Sequence, residues 1–167
     1  MGKSILVNKI INLILFMITT LPHGLSVFLA DDDADDRFLF KEALMEVRKN
    51  VKVTMLNNGE QLMSCLDQKK TDQPNLIFLD LNMPLKNGIE CLEEIKKDNN
   101  LKNIPVIIFS TSRQKETINQ VYTKGANYYM CKPDNFEKLK QLLDKVLSLN
   151  VTASQNQPNR DNFIISV

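Results

Sequence analysis

Residues 76–88 read LIFLDLNMPLKNG, and the fold of the chain turns on this stretch. Leu76, Ile77, Phe78 and Leu79 form an unbroken apolar run that ends on an acid, Asp80, followed by a turn carrying Pro84 and Gly88. A short run that is apolar throughout suits a parallel strand covered on both faces. From Gly88 the period changes, and Ile89, Leu92 and Ile95 share one helical face. The unit is a strand, a polar turn and a helix.

The same unit recurs on both sides. Upstream, VFLA (27–30) ends in Asp31-Asp32-Asp33 and precedes Phe40, Ala43, Leu44 and Val47 at i, i+3, i+4, i+7 spacing. VKVTML (51–56) alternates instead, as suits an edge strand, and Asn58 with Gln61 marks the helix start after it. Downstream, IPVIIF (104–109) leads to Ser110-Thr111-Ser112 and a helix bearing Ile118, Val121 and Tyr122, with Gly125 as its stop. ANYYM (126–130) leads to Cys131-Lys132-Pro133, then to Phe136, Leu139, Leu143 and Val146 on one stripe. Asp134 with Glu137 predicts a capping-box-like start for that last helix. Five alternations of strand and helix predict a doubly wound α/β domain, its parallel sheet covered by helices on both faces.

This domain spans 25–150 of the 167 residues. The apolar run IINLILFMITTL (10–21) lies in an N-terminal extension, 1–24, and is shorter than the roughly 20 residues a membrane span needs. An extra packed helix or an extension without structural role is favoured over a membrane segment. The tail, 151–167, is polar until its last residues and is expected to be largely disordered. It is too short for an output domain.

With 43% hydrophobic and 25% charged residues the chain has the makings of a packed core, and its net charge of +1 argues against a broadly electropositive nucleic-acid binder. Cys65, Cys91 and Cys131 are odd in number and widely spaced, which excludes a CxxC motif and points to thiols in a reducing cytosol. The single histidine, His23, lies outside the periodic region, which excludes histidine-based catalysis. The acids are uneven: none in residues 1–30, then Asp31, Asp32, Asp33, Asp35 and Asp36 within six positions.

In open parallel sheets ligands bind beyond the carboxyl ends of the strands. The residues there are Asp31 to Asp33, Asp80, Ser110 to Ser112 and Lys132. Asp35 and Asp36 are explained by the helix macrodipole alone. Carboxylates about 5 Å apart repel by roughly 3 kcal/mol at an effective dielectric near 20, so the cluster either raises its pKa values or recruits a cation. Oxygen ligands of this kind suit Mg²⁺. An Asp flanked by a divalent ion, a Lys and a hydroxyl is equipped to receive a phosphoryl group.

FLADDDADD (28–36), LIFLDLNMPLKNG (76–88), PVIIFSTS (105–112) and GANYYMCKP (125–133), in this order and spacing, resemble the response-regulator receiver domains of two-component signalling. The resemblance implies a flavodoxin-like five-stranded sheet in the order 2-1-3-4-5 with five helices. It makes Asp80 the phosphoacceptor, and Asp31 and Asp32 the acidic pair. Asp32, Asp80 and the backbone carbonyl of Asn82 would bind Mg²⁺ directly, with Asp31 acting through water. Lys132 would pair with Asp80 or the phosphoryl group, and its bond to Pro133 is typically cis in the family. Ser110 matches the hydroxyl switch residue and Tyr129 the aromatic one, with Tyr128 as the alternative if the register shifts by one. Asn82 and Ser112 occupy positions that tune access of water to the aspartyl phosphate.

The expectation is then a cytoplasmic, stand-alone, phosphorylation-controlled binding module and not a turnover enzyme. Its partners would be a sensor histidine kinase or a phosphotransfer protein and a downstream protein target, without nucleic acid or membrane. The fourth and fifth helices and the fifth strand would carry the change in partner affinity. Three other readings rank below it. A phosphohydrolase using Asp31 and Asp33 as a D-x-D pair lacks a cap domain and has Asp35 where Thr or Val is expected. A non-phosphorylated scaffold would not need Asp80, Lys132 and the acidic pair together. Flavin binding is opposed by the five acids after the first strand, which would repel a flavin phosphate.

Overall fold

The computed structural model describes residues 24–67, 73–149 and 157–166. The apolar extension before residue 24 lies outside them. Strands β1 (Leu25–Ala30), β2 (Val51–Leu56), β3 (Leu76–Leu79), β4 (Val106–Ser110) and β5 (Tyr128–Cys131) alternate with helices α1 (Ala34–Val47), α2 (Gly59–Asp67), α3 (Gly88–Lys97), α4 (Lys115–Thr123) and α5 (Phe136–Ser148). All strand pairs are parallel, and the sheet order is β2-β1-β3-β4-β5, with a sixth strand, β6 (Ile164–Ile165), outside β5. The alternating strand, β2, sits at one edge as its pattern predicts.

The sixth strand is a correction. The tail contributes a 3₁₀ turn, Arg160–Asn162, and β6, Ile164–Ile165, which pairs with β5 through Tyr129↔Ile164 and Met130↔Ile165. The expected disorder fails for 157–166 because Phe163 and Ile165 each reach an apolar face at the open edge of β5, where both are buried.

Burial on both sheet faces explains the apolar strands. Val27, Leu29, Leu76, Phe78, Ile107, Phe109 and Met130 point to the face covered by α1 and α5. Phe28, Ala30, Ile77, Leu79, Ile108 and Tyr129 point to the face of α2, α3 and α4. An aromatic cluster centres the first face, with Phe40 edge-on to Phe78 at 4.7 Å and tilted against Phe109 at 5.4 Å.

Local signals set the helix ends. Asn87 and Glu90 form a complete capping box on α3. Asn58 accepts the Gln61 N–H as expected, while the Gln61 side chain returns to the N–H of Asn57. For α5 the cap is Asn135, which accepts the Lys138 N–H, so the expected Asp134 start is one residue early. Asp134 pairs instead with the Lys138 ammonium at 2.9 Å. Gly125 ends α4 with φ +92°, in the left-handed region, and donates to the Tyr122 carbonyl. Among the described residues no helix is long and apolar enough to cross a membrane.

Phe40→Ala removes the hub of the aromatic cluster, and a loss of about 3–5 kcal/mol in unfolding free energy is expected. Urea denaturation followed by circular dichroism measures it.

Candidate functional site

The ladder of the sheet carries the acids to one rim. The Asp31 N–H donates to the Leu56 carbonyl at 3.0 Å and the Asp80 N–H to the Ala30 carbonyl at 2.9 Å. The last pairings of β1 with β2 and of β1 with β3 thus place both residues. On the other side, the Lys132 N–H donates to the Ser110 carbonyl at 3.0 Å, extending the β4–β5 ladder by one residue.

The Lys132 ammonium meets three carboxylates, with Oδ2 of Asp31, Asp36 and Asp80 each at 2.8 Å. Its lower side rests 5.5 Å from the centre of the Phe109 ring. Burial alone would lower the Lys132 pKa, but its close contacts with the Asp31, Asp36 and Asp80 carboxylates outweigh that effect and hold it above the ordinary lysine value. For Asp31, which is fully buried, desolvation dominates and raises the pKa despite the Lys132 contact. Asp80 turns Oδ1 toward the chain, where it accepts the N–H groups of Leu81 at 2.6 Å and Asn82 at 3.3 Å. Oδ2 is left facing the ammonium.

Asp31, Asp32 and Asp80 each offer a carboxylate oxygen within 4.8 Å of the others, Asp32 being exposed. Asp31 Oδ2 is buried and touches the ammonium without alignment for a hydrogen bond. Counting Asp31, Asp32, Asp36 and Asp80 against Lys132 leaves a formal charge of −3 at the rim. Hard oxygen donors, an unsatisfied buried oxygen and excess negative charge together fit a divalent cation of the Mg²⁺ type.

Ser110 is fully buried at the end of β4, and its hydroxyl accepts the Ser112 N–H at 3.4 Å. The Tyr129 phenol donates to the Ser112 carbonyl at 2.7 Å. The Tyr129 ring is fully buried, and its pKa is raised mainly by that burial. Tyr128 packs on the opposite sheet face, so the register favours Tyr129. The Lys132–Pro133 bond is trans, not cis.

Two parts of the acidic run differ from expectation. Asp36 is not only a helix-start residue, since its carboxylate reaches Lys132 from the first turn of α1. Side chains in a first turn lean back over the helix N-terminus, which was the available signal. Asp33 caps α1, accepting the N–H groups of Asp35 and Asp36, which lower its pKa. This capping turns Asp33 away from any D-x-D pair with Asp31. Arg37, which the sequence reading passed over, donates from Nη1 to the Asp31 carbonyl at 2.6 Å.

Gly88 secures the Asp80 loop. Its N–H donates to the Leu81 carbonyl at 3.0 Å, and a Cβ here would lie 2.1 Å from the Asp80 carbonyl oxygen. Opposite, the turn at Leu85 closes with the Lys86 N–H on the Pro84 carbonyl, and Leu85 adopts φ +67°.

Fold and rim together define a doubly wound α/β domain that gathers carboxylates, a lysine and a buried hydroxyl at its strand ends. Residues 27–144 match the response regulator receiver domain, and the chain belongs to that family. It is 34% identical over 137 residues to the probable C4-dicarboxylate response regulator DctR of Bacillus subtilis; the match covers 78% of this chain and 58% of that protein's length. Response regulator Rcp1 of Synechocystis is 32% identical over 126 residues, covering 73% of this chain and 86% of Rcp1. The Mn²⁺-bound structure of Rcp1 superposes with a TM-score of 0.70 over 80% of this chain and 98% of that one, at 31% identity. The phosphorylated cyanobacterial phytochrome response regulator RcpA gives 0.72 over 79% of this chain and 96% of that one, at 33% identity. Receiver domains are signalling domains of two-component systems, and phosphorylation-dependent switching is typical of them.

Gly88→Ala is expected to displace the backbone at Asp80 and Leu81, at a cost of about 1–3 kcal/mol. Amide NMR shifts of Leu81 and Asn82 should move in this variant, while those of α5 stay in place.

Proposed function

We propose that Asp80 is the phosphoacceptor of this receiver domain and that Lys132, Ser110 and Tyr129 read its state. The observation that carries this reading is the pair of roles at Asp80: Oδ1 is held by two backbone N–H groups, and Oδ2 faces the Lys132 ammonium. In the reaction, Asp80 Oδ2 attacks the phosphorus of a phosphohistidine on a sensor histidine kinase or phosphotransfer protein. The P–O bond forms as the P–N bond breaks, and the electron pair leaves with the imidazole. Lys132 shifts from Asp80 Oδ2 to a phosphoryl oxygen, which keeps the ammonium paired throughout. Ser110 donates its hydroxyl hydrogen to another of these oxygens. Asp31 and Asp36 hold the lysine on the rim while its third partner changes.

Asp32, Asp80 and the Asn82 carbonyl would hold Mg²⁺, with Asp31 acting through water. The ion would offset charge on the phosphoryl oxygens. That Rcp1 has been seen with Mn²⁺ supports a divalent ion here. The output would be altered affinity for a downstream protein through α4, α5 and β5. Self-phosphorylation from small donors and self-dephosphorylation are the most enzymatic activity this reading assigns. The odd number and wide spacing of the cysteines, which build no disulfide framework or CxxC motif in sequence, support a site of action in the cytoplasm.

Acetyl phosphate with Mg²⁺ should label the wild type, and Asp80→Asn should take up no phosphate by intact-mass measurement. Equal incorporation in the variant would overturn the assignment of Asp80. Lys132→Ala should slow labelling by about a hundredfold or more, because the charge on the phosphoryl oxygens loses its fixed counter-ion. Mg²⁺ should raise the thermal midpoint of the wild type and have a much smaller effect on Asp32→Asn, measured by scanning calorimetry. An equal rise in both would remove Asp32 from the ion site.

A further inference from the structure

The C-terminal segment does more than add a short strand. Gln157 donates from Nε2 to the carbonyls of Tyr122 and Ala126, both at 2.7 Å. The Tyr122 hydroxyl donates in turn to the Pro158 carbonyl at 3.1 Å. Arg160 lies over the Tyr122 ring at 4.7 Å and donates to Asn119 Oδ1. Phe163, only 2% exposed, stands edge-on to Tyr122 at 4.9 Å between centroids and 6.4 Å from the Tyr129 ring. The segment therefore fills a seat formed by α4 and the outer edge of β5.

Tyr129 ties this seat to the rim. Its backbone N–H donates to the Phe163 carbonyl at 2.9 Å, and its phenol donates to the Ser112 carbonyl two residues beyond Ser110. The Ser110 hydroxyl joins the same loop from the other side, accepting the Ser112 N–H at 3.4 Å. Phe163 thus packs against Tyr129 only while that ring keeps its buried position. In the reading above, a phosphoryl group on Asp80 would engage the Ser110 hydroxyl and leave the Tyr129 phenol on the Ser112 carbonyl, the position against which Phe163 packs.

We propose that the α4 face and the β5 edge are a docking surface for the chain's own residues 157–166, and that docking is positively coupled to phosphorylation of Asp80 through Tyr129. The proposal rests on the phosphoacceptor reading above. Coupling of this kind is reciprocal: what phosphorylation does for the seat, the seat does for phosphorylation. An outside partner for this surface would have to bring an extended segment with an aromatic followed by an aliphatic residue, in parallel register with β5, and displace the resident one.

The test uses the full chain with Mg²⁺ and beryllofluoride, which stands in for the phosphoryl group. Binding is read by ¹⁹F NMR and the seat by hydrogen exchange at the Tyr129 amide. Saturation should raise Tyr129 protection by about tenfold in the wild type and leave Asp80→Asn unchanged. Phe163→Ala should weaken beryllofluoride binding by about five- to tenfold. Because that change opens a cavity, Gln157→Ala, which removes two hydrogen bonds at the edge of the seat, serves as the second variant and should weaken binding in the same direction. Bound beryllofluoride with unchanged or reduced Tyr129 protection overturns this proposal alone, as does unaltered affinity in both variants. No bound ¹⁹F signal on the wild type overturns the phosphoacceptor reading and this proposal with it. A concentration-dependent rise in mass by light scattering, with protection rising in step, would assign the seated segment to a second copy and overturn the intramolecular docking.

Discussion

Everything at the strand ends is organised by one ammonium among carboxylates. Lys132 can sit 2.8 Å from Asp31, Asp36 and Asp80 only because β1, β3 and β5 are parallel and finish at the same level. Two of the carboxylates are placed by strand ladders, Asp31 by that of β2 and Asp80 by that of β1, and Asp36 by the first turn of α1. The charges are therefore held in place before any ligand arrives. A buried carboxylate such as Asp31 would be costly if left alone, and the lysine offsets only part of that cost. The residual negative charge is what makes the rim a fit for a cation.

The two faces of the sheet serve this rim differently. On one, Phe40, Phe78 and Phe109 interlock, and Phe109 supports the lysine from below. A ring cluster of this density resists rearrangement, so the acid-binding half of the site has a stiff floor. On the other face lie Ser110, Tyr129, Tyr122 and Phe163, where hydroxyls and ring edges meet loop carbonyls. This face thus joins ring packing to hydrogen bonds with the backbone of two neighbouring segments, where the other face has rings alone.

The strands, their parallel arrangement and the rim residues were legible because each signal is local. An apolar run of four to six residues ending on an acid needs no tertiary context to be read, and LIFLD and VFLA followed by Asp31 are of this kind. The contacts of Asp36, Asp33 and Arg37 were not legible. Whether an acid in a first turn caps, repels or pairs depends on where Lys132 arrives, 96 residues away from Asp36 in sequence. The sixth strand was hidden for a related reason. Ile164 and Ile165 are too few to show a period, and their pairing is decided by the open edge of β5 and the ring of Tyr122. The α5 cap shows the finest case, in which Asp134 and Asn135 are both suitable residues and only backbone geometry chooses Asn135.

The backbone bond from Lys132 to the Ser110 carbonyl joins the two halves of the site. It makes the end of β4 and the end of β5 one piece of ladder, so the ammonium and the hydroxyl cannot be repositioned independently. A phosphoryl group that recruited both side chains would therefore act on a single shared segment. Tyr129 lies three residues before Lys132, within β5. Its ring faces the interior while its N–H faces the strand edge, so one residue is bonded both to the loop after Ser110 and to the segment that carries the outermost strand. In a five-stranded sheet the Tyr129 N–H would face an open edge; here it is bonded to the Phe163 carbonyl, immediately before the sixth strand.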